Sequence, residues 1–191
     1  MDNKQDEWIA LQCRIYAGAS FGETELVVNW NIEAYKVLLK YAKKGLSFLD
    51  VGCNNGRISH EMQKLELNVL GIDLPEIINK ITYPINKLAL NLEKDFPVGR
   101  WDIIFCRETI EHLRNYEEVL QKMLVALNPD GFLIITAPFS KQDFGKNCPQ
   151  HIRIFEGDEL KKLIEKHHGV IIESFMERKC RSLGFVVKYP K

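Results

Sequence analysis

The chain has 191 residues and no excess charge of either sign, with 26 Lys and Arg against 26 Asp and Glu. Such a balance lacks the bulk electrostatic means of neutralising phosphates, so no nucleic-acid partner is expected. Cysteine is scarce: Cys13, Cys53, Cys106, Cys148 and Cys180 are scattered, odd in number, and none stands in a CxxC spacing. That argues against a disulfide framework and against a paired-cysteine zinc site. No apolar run approaches the roughly 20 residues of a membrane-spanning helix. The opening MDNKQDEW has neither the basic start nor the apolar stretch of a signal peptide. A reduced, cytoplasmic protein is the simplest expectation. Internal repeats, low-complexity stretches and Pro-, Gly- or Ser-rich linkers are also missing. What is present is 46% apolar and 27% charged residues, the balance of a globular domain with a sizeable core. A single domain over 1–191 is expected, with a helical arm over 1–45 and a ligand-binding core over 46–191.

Short β-type runs alternate with helical stretches. SFLDV (47–51), NVLGI (68–72), DIIFC (102–106) and GFLIITA (131–137) read as strands, the last two buried on both faces. A weaker strand lies near 85–90. Helical spacing marks 29–42, 57–67, a stretch from Pro75, 116–127 and 158–167. The breaker Asn128-Pro-Asp-Gly closes the fourth of these. Residues 170–175 and 184–189 are too close for a helical crossover, so they should pair antiparallel. Strand–helix alternation predicts an α/β fold, a doubly wound, mostly parallel sheet covered on both faces. The aromatic segment 8–25 reads either as a cover over the site or as a packing arm at the sheet edge.

In an open parallel sheet, ligands bind outside the carboxyl ends of the strands. After the first strand stands Asp50-Val-Gly-Cys-Asn-Asn-Gly56. Gly52 and Gly56 permit a tight turn, and Asn54 is the non-glycine residue best suited to a left-handed backbone between them. Asp50 at the loop's mouth would repel a pyrophosphate and welcome an ammonium or sulfonium group. The dinucleotide fingerprint GxGxxG fails, because its later glycines fall on Asn54 and Arg57. Asp73 closes the second strand and reads either as an acceptor for a ribose diol or as a helix cap. Asn91 is a candidate reader of an adenine edge, with Leu92 or Leu74 against the ring. His112 stands after the fourth strand as a general base or a capping histidine. After the fifth strand, His151 and Arg153 either contact a substrate or pin the loop. His167 and His168, at a helix end, read as structural.

In order, FLDVGCNNGRIS, VLGIDL, NLEKDFP, WDIIFCRETIEHL and LNPDGFLIITAP resemble a class I S-adenosylmethionine-dependent methyltransferase, similar to the small-molecule enzymes of the ubiquinone-biosynthesis type. The resemblance covers about 47–166. It implies a Rossmann-like seven-stranded sheet of order 3-2-1-4-5-7-6 with the last strand antiparallel. It further implies S-adenosylmethionine as cofactor and S-adenosylhomocysteine as product. Asp50, Gly52, Cys53, Asn54 and Gly56 would form the methionine loop, Asp73 the ribose acid and Leu74 its neighbour at the adenine. Asn91 and Leu92 match the adenine-edge positions, and Arg107 lies near the methionine moiety. His112 matches a histidine often found in this group. Asn54 departs from the family's middle glycine.

The expected activity is direct methyl displacement onto an unidentified, small-molecule acceptor, with much of the catalysis supplied by orientation. His112 and His151 are the candidate bases for a hydroxyl acceptor. No metal is implied, because the acids and histidines show no ligand-like spacing. Cys53 and Cys106, in a packed loop and a buried strand, are expected to be inert. A rival reading is a non-catalytic subunit that binds the cofactor or its product. A nicotinamide oxidoreductase is disfavoured by the failed glycine spacing and by Asp50.

Overall fold

The computed structural model describes residues 33–139, 151–177 and 182–190. Among them the strands are β1 (Ser47–Val51), β2 (Asn68–Asp73), β3 (Lys87–Ala89), β4 (Trp101–Arg107), β5 (Leu127–Pro138), β6 (Val170–Glu177) and β7 (Ser182–Lys188). The helices are α1 (Glu33–Tyr41), α2 (Arg57–Lys64), α3 (Pro75–Ile78), α4 (Tyr116–Val125) and α5 (Glu159–Lys166). A short 3-10 turn covers Ile110–His112. The strands form one sheet of order β3-β2-β1-β4-β5-β7-β6, with β7 antiparallel to both of its neighbours. The order expected from the resemblance is therefore the order observed, and so is the closing antiparallel pair.

Alternation along each strand divides the core into two layers. Phe48, Ile103, Phe105 and Ile134 face one side and pack with Ala34, Val37 and Leu38 of α1 and Met62 of α2. Leu49, Val51, Ile104, Cys106, Leu133 and Ile135 face the other and pack with α4 and α5. In α4 the stripe is Val119, Leu120, Met123 and Leu124; in α5 it is Leu160 and Ile164.

Three local expectations are corrected. Helix α1 falls in the stretch expected to be an arm, but Ala34 and Leu38 are fully buried, so it is a layer of the core. Residues 1–32, with the possible cover 8–25, lie outside the described residues. Helix α2 ends at Lys64, because Glu66 turns left-handed (φ 62°) and leaves Leu65 exposed while Leu67 enters the core. Helix α4 stops at Val125, and Asn128-Pro-Asp-Gly131 lies inside β5 as an irregularity. Trp101 pairs with Leu127, but Ile103 already pairs with Phe132, so β5 carries extra residues across that step. The Asn128 amide donates to Asp102 Oδ1 at 2.8 Å, and Ser47 donates to Oδ2 through its amide (2.8 Å) and hydroxyl (2.7 Å). Asp102 thus ties the amino ends of β1 and β4 to the irregularity.

The strand order reverses beside β1, with β2 on one flank and β4 on the other. The carboxyl ends of β1, β2, β4 and β5 therefore open onto one shared rim, which is where a crevice forms in this architecture.

Candidate functional site

The loop after β1 is built by its backbone. Gly52 and Cys53 donate to the Ile72 carbonyl at 2.9 and 3.0 Å, stitching the loop to β2. Gly52, Asn54 and Gly56 have φ of 74°, 49° and 76°. Asn54 is thus in the left-handed region, as its place between the glycines requires. A Cβ at Gly52 would lie 2.3 Å from Thr109 Oγ1, so that position excludes any side chain. Thr109 Oγ1 in turn donates to the Val51 and Arg107 carbonyls (3.2 and 3.0 Å), joining the end of β1 to the end of β4. Cys53 and Cys106 are buried, and burial pushes both thiols well up, which leaves them unreactive as expected.

Two carboxyl groups face this loop without a cation. Asp50 is buried, and its Oδ2 accepts from Ser59 Oγ at 2.7 Å. Burial pushes its carboxyl up to about 7, against the pull of Ser59 and with the charge of Asp73 adding to the rise. Asp73 accepts from the Asn54 amide (Oδ2, 2.8 Å) and the Leu74 amide (Oδ1, 2.7 Å). Burial pushes it up to about 6, with those amides opposing. Among the described residues, none of these donors is charged. Two neighbouring acids raised in this way favour a ligand carrying positive charge. Each Asp73 oxygen accepts one bond and keeps a second lone pair, enough for the two hydroxyls of a ribose. The residues present therefore fit a nucleoside whose other end is cationic.

The remaining residues expected at the cofactor are distributed differently. Leu74 stands partly exposed at the start of α3. Asn91 turns its Oδ1 back onto the Glu93 amide at 2.9 Å, and Leu92 is taken up by the core. The Arg107 guanidinium is clasped by Glu177 Oε1 at 2.6 Å and lies 5.2 Å from the Tyr35 ring centre. Burial works against its charge, but Glu177 and Tyr35 outweigh that and hold its pKa above the usual value. The Arg107 side chain thus ties β4 to β6.

At the ends of β4 and β5 lies a second group of polar side chains. Glu108 (φ 49°) accepts from Thr136 Oγ1 at 2.7 Å and from Ser182 Oγ at 2.8 Å. Glu111 is fully buried. His112 Nε2 and His151 Nε2 lie 3.9 and 4.0 Å from Glu111 Oε1, and the two imidazole centres are 4.8 Å apart. The Glu111 carbonyl accepts the amides of Ile152 and Arg153, both at 3.2 Å, which docks the segment after β5 onto the turn after β4. The two expected base candidates are therefore brought together. The expectation that acids and histidines lie apart is corrected here, since Glu111, His112 and His151 form one cluster. Arg153 stacks 4.5 Å from the Tyr116 ring centre and pairs with Glu159 at 3.4 Å. His167 meets Glu117 at 3.0 Å, joining α5 to α4, in keeping with a structural role.

Sequence reasoning missed Ser59, Thr109 and Glu111 as parts of the rim. The only local signal was an acid directly before a candidate histidine.

Residues 29–170 match the methyltransferase-domain family. The sheet order, the left-handed loop after β1 and the acid ending β2 define a nucleoside-binding α/β protein. The chain belongs to the methyltransferase-domain family, and its fold is that of the class I S-adenosylmethionine-dependent members. It is 28% identical over 102 residues to the ubiquinone biosynthesis O-methyltransferase of Shewanella halifaxensis, covering 48% of this chain and 43% of that protein. It is 28% identical over 142 residues to the mitochondrial enzyme of the same name from Saccharomyces cerevisiae, covering 64% of this chain and 42% of that protein. The chain thus spans less than half the length of these relatives. Its fold is similar to that of Burkholderia thailandensis 1,6-didemethyltoxoflavin-N1-methyltransferase, solved with its substrate and S-adenosylhomocysteine. That likeness has a TM-score of 0.72 at 19% identity and covers 97% of this chain and 90% of that one.

Proposed function

We propose that this chain is an S-adenosylmethionine-dependent methyltransferase acting on a hydroxyl oxygen of a small-molecule acceptor. The observation that carries this reading is the rim itself. Two uncompensated acids and a left-handed loop stand at the ends of β1 and β2, and two histidines stand at the ends of β4 and β5. The bound cofactor supplies an electrophilic methyl group. Asp73 holds a ribose, Asp50 favours the positively charged end, and the loop amides between Gly52 and Gly56 lie against the methionine part. His112 and His151 are placed to take a proton from an acceptor hydroxyl. Oxygen as the accepting atom is also what the names of the O-methyltransferase relatives record. A small acceptor fits the neutral charge balance, and among the described residues no helix is long and apolar enough to cross a membrane. Residues 1–191 act as one domain on this reading, in the cytoplasm.

Calorimetric titration with S-adenosylhomocysteine, with NAD as control, tests the site. Micromolar binding of the nucleoside and none of NAD is expected. Asp73→Ala should weaken binding at least tenfold, since hydrogen bonds to a charged group contribute about 1.5–3 kcal/mol each. Failure of the folded protein to bind the nucleoside would overturn the reading. Binding without turnover across an acceptor screen would favour the non-catalytic subunit.

A further inference from the structure

Under the loop after β1 lies a buried hydroxyl. Ser59 is in the first turn of α2, is wholly shielded from solvent, and donates through Oγ to Asp50 Oδ2 at 2.7 Å. A helical serine commonly turns its hydroxyl back to the carbonyl one turn earlier. This one reaches across to β1 instead. Strand β2 leaves the space for it: Gly71 pairs with Asp50 in register, and a Cβ there would lie 3.0 Å from both Ser59 Oγ and Cys53 Sγ. A side chain at Gly71 would therefore press the hydroxyl away from the carboxylate.

Ser59 opposes everything else that acts on Asp50. Burial and the charge of Asp73 favour the neutral acid, while the hydroxyl and the amide of Ser59 favour the ionised one. The cap of α2, Gly56, has no side chain and the first turn holds no acid, so Asp50 is the anion at this helix start. The other titratable groups packed around Asp50 bring no counter-charge. They are Asp73 at the end of β2, Cys53 in the loop and Cys106 on β4. Burial keeps both thiols protonated. Arg57 and His60, the neighbours of Ser59 on α2, do not act on the Asp50 carboxyl, and His60 stacks on Tyr83 with ring centres 4.9 Å apart.

We propose that Ser59 is a positioning residue for cofactor selection: its hydroxyl holds Asp50 ionised and fixed beside the loop, so the site takes nucleosides with a cationic end in preference to neutral ones. This role rests on the methyltransferase reading, in which Asp50 meets the positively charged end of the cofactor. Ser59 acts through the carboxylate and not by contact with the ligand. A buried carboxylate that loses its donor takes up a proton, and a neutral acid has no charge to offer an ammonium or sulfonium group. A hydroxyl suits the task better than a lysine or arginine would. It donates a hydrogen bond to the acid without a charge of its own, so the attraction for the ligand is not cancelled.

The test titrates two nucleosides calorimetrically into the full chain. S-adenosylhomocysteine carries an ammonium group; 5′-methylthioadenosine keeps the adenine, ribose and thioether but has no amino-acid end. Both share the ribose contact of Asp73, so the ratio of their affinities isolates the end that Asp50 meets. In the unchanged protein S-adenosylhomocysteine should bind more tightly, and its lead should grow from pH 5.5 to pH 7.5 as Asp50 ionises. Ser59→Ala should cut that lead at least about fivefold at pH 7, since a hydrogen bond to a charged group counts for roughly tenfold or more. The shortfall against the unchanged protein should narrow by pH 8.5, where the acid ionises even without its donor. Binding of 5′-methylthioadenosine should change little. Ser59→Cys fills nearly the same space with a weaker donor and should fall between the two, which gives a second reading where the alanine variant does not fold. Asp50→Asn should lose the lead at every pH, and adding Ser59→Ala to it should remove nothing more. An equal loss for both nucleosides at every pH in the Ser59 variants would show a merely structural hydroxyl and overturn the assignment. So would an undiminished lead in those variants, or equal binding of the two nucleosides by the unchanged protein. Failure of the unchanged, folded protein to bind either nucleoside would overturn the methyltransferase reading instead.

Discussion

Gly52 and Thr109 show how little freedom a single position on this rim has. A Cβ at Gly52 would stand 2.3 Å from Thr109 Oγ1, and φ there is 74°. Alanine would suffer the left-handed penalty of about 1–2 kcal/mol and a clash of about 1–3 kcal/mol. Gly52→Ala should therefore lower the melting temperature by roughly 5–10 °C, as read by calorimetry. Unchanged unfolding would show that Thr109 is not packed against this glycine. Asn54 makes the complementary point. At φ 49° it does what a glycine would do, because its short polar side chain tolerates the left-handed region.

Among the elements, the most telling contact joins β4 to β6. Arg107 and Glu177 meet at 2.6 Å, with Glu177 almost wholly buried. Removing the Glu177 carboxylate leaves Arg107 with the Tyr35 ring and the charge of Glu108, so Glu177→Gln should cost about 1.5–3 kcal/mol. The double substitution Arg107→Met with Glu177→Leu should recover most of that loss, since apolar replacement of a buried pair is often close to neutral. Urea unfolding of the two single variants and the double variant measures the coupling. Additive losses would mean the pair does not tie the strands. Next to it, Glu108 reaches Thr136 of β5 and Ser182 of β7, so the turn after β4 is anchored to two further strands.

For the whole molecule, the buried acids set how stability follows pH. Asp50 and Asp73 are raised from 3.8 to about 7 and about 6, mainly by burial, and burial also raises Glu108 and Glu111. A group whose pKa is higher folded than unfolded stabilises the fold fully below its unfolded pKa. That stability is lost as pH rises through the folded value. The free protein should therefore lose stability between about pH 4 and 7, with Asp50 alone contributing on the order of 4 kcal/mol. A positively charged ligand prefers the ionised acids, so the gain in melting temperature with S-adenosylmethionine should be larger at pH 8 than at pH 5.5. Thermal scans across that range, with and without ligand, check both statements. A free-protein melting temperature that rises steadily from pH 4 to 7 would contradict the first.

The strand runs, most helices, the antiparallel closing pair and the acids Asp50 and Asp73 were legible in the sequence. They rest on local patterns: period, apolar runs, breakers and the residue that follows each strand. Thr109 against Gly52, Arg107 clasped by Glu177, α1 as a core layer and Leu92 in the core were not legible. Nor was the meeting of His151 with Glu111. Each of these depends on which strands become neighbours and on how far chain ends are drawn together. Burial completes the difference, because a carboxylate in sequence is only an acid. It becomes a raised, unpartnered group when the fold removes water and supplies no donor.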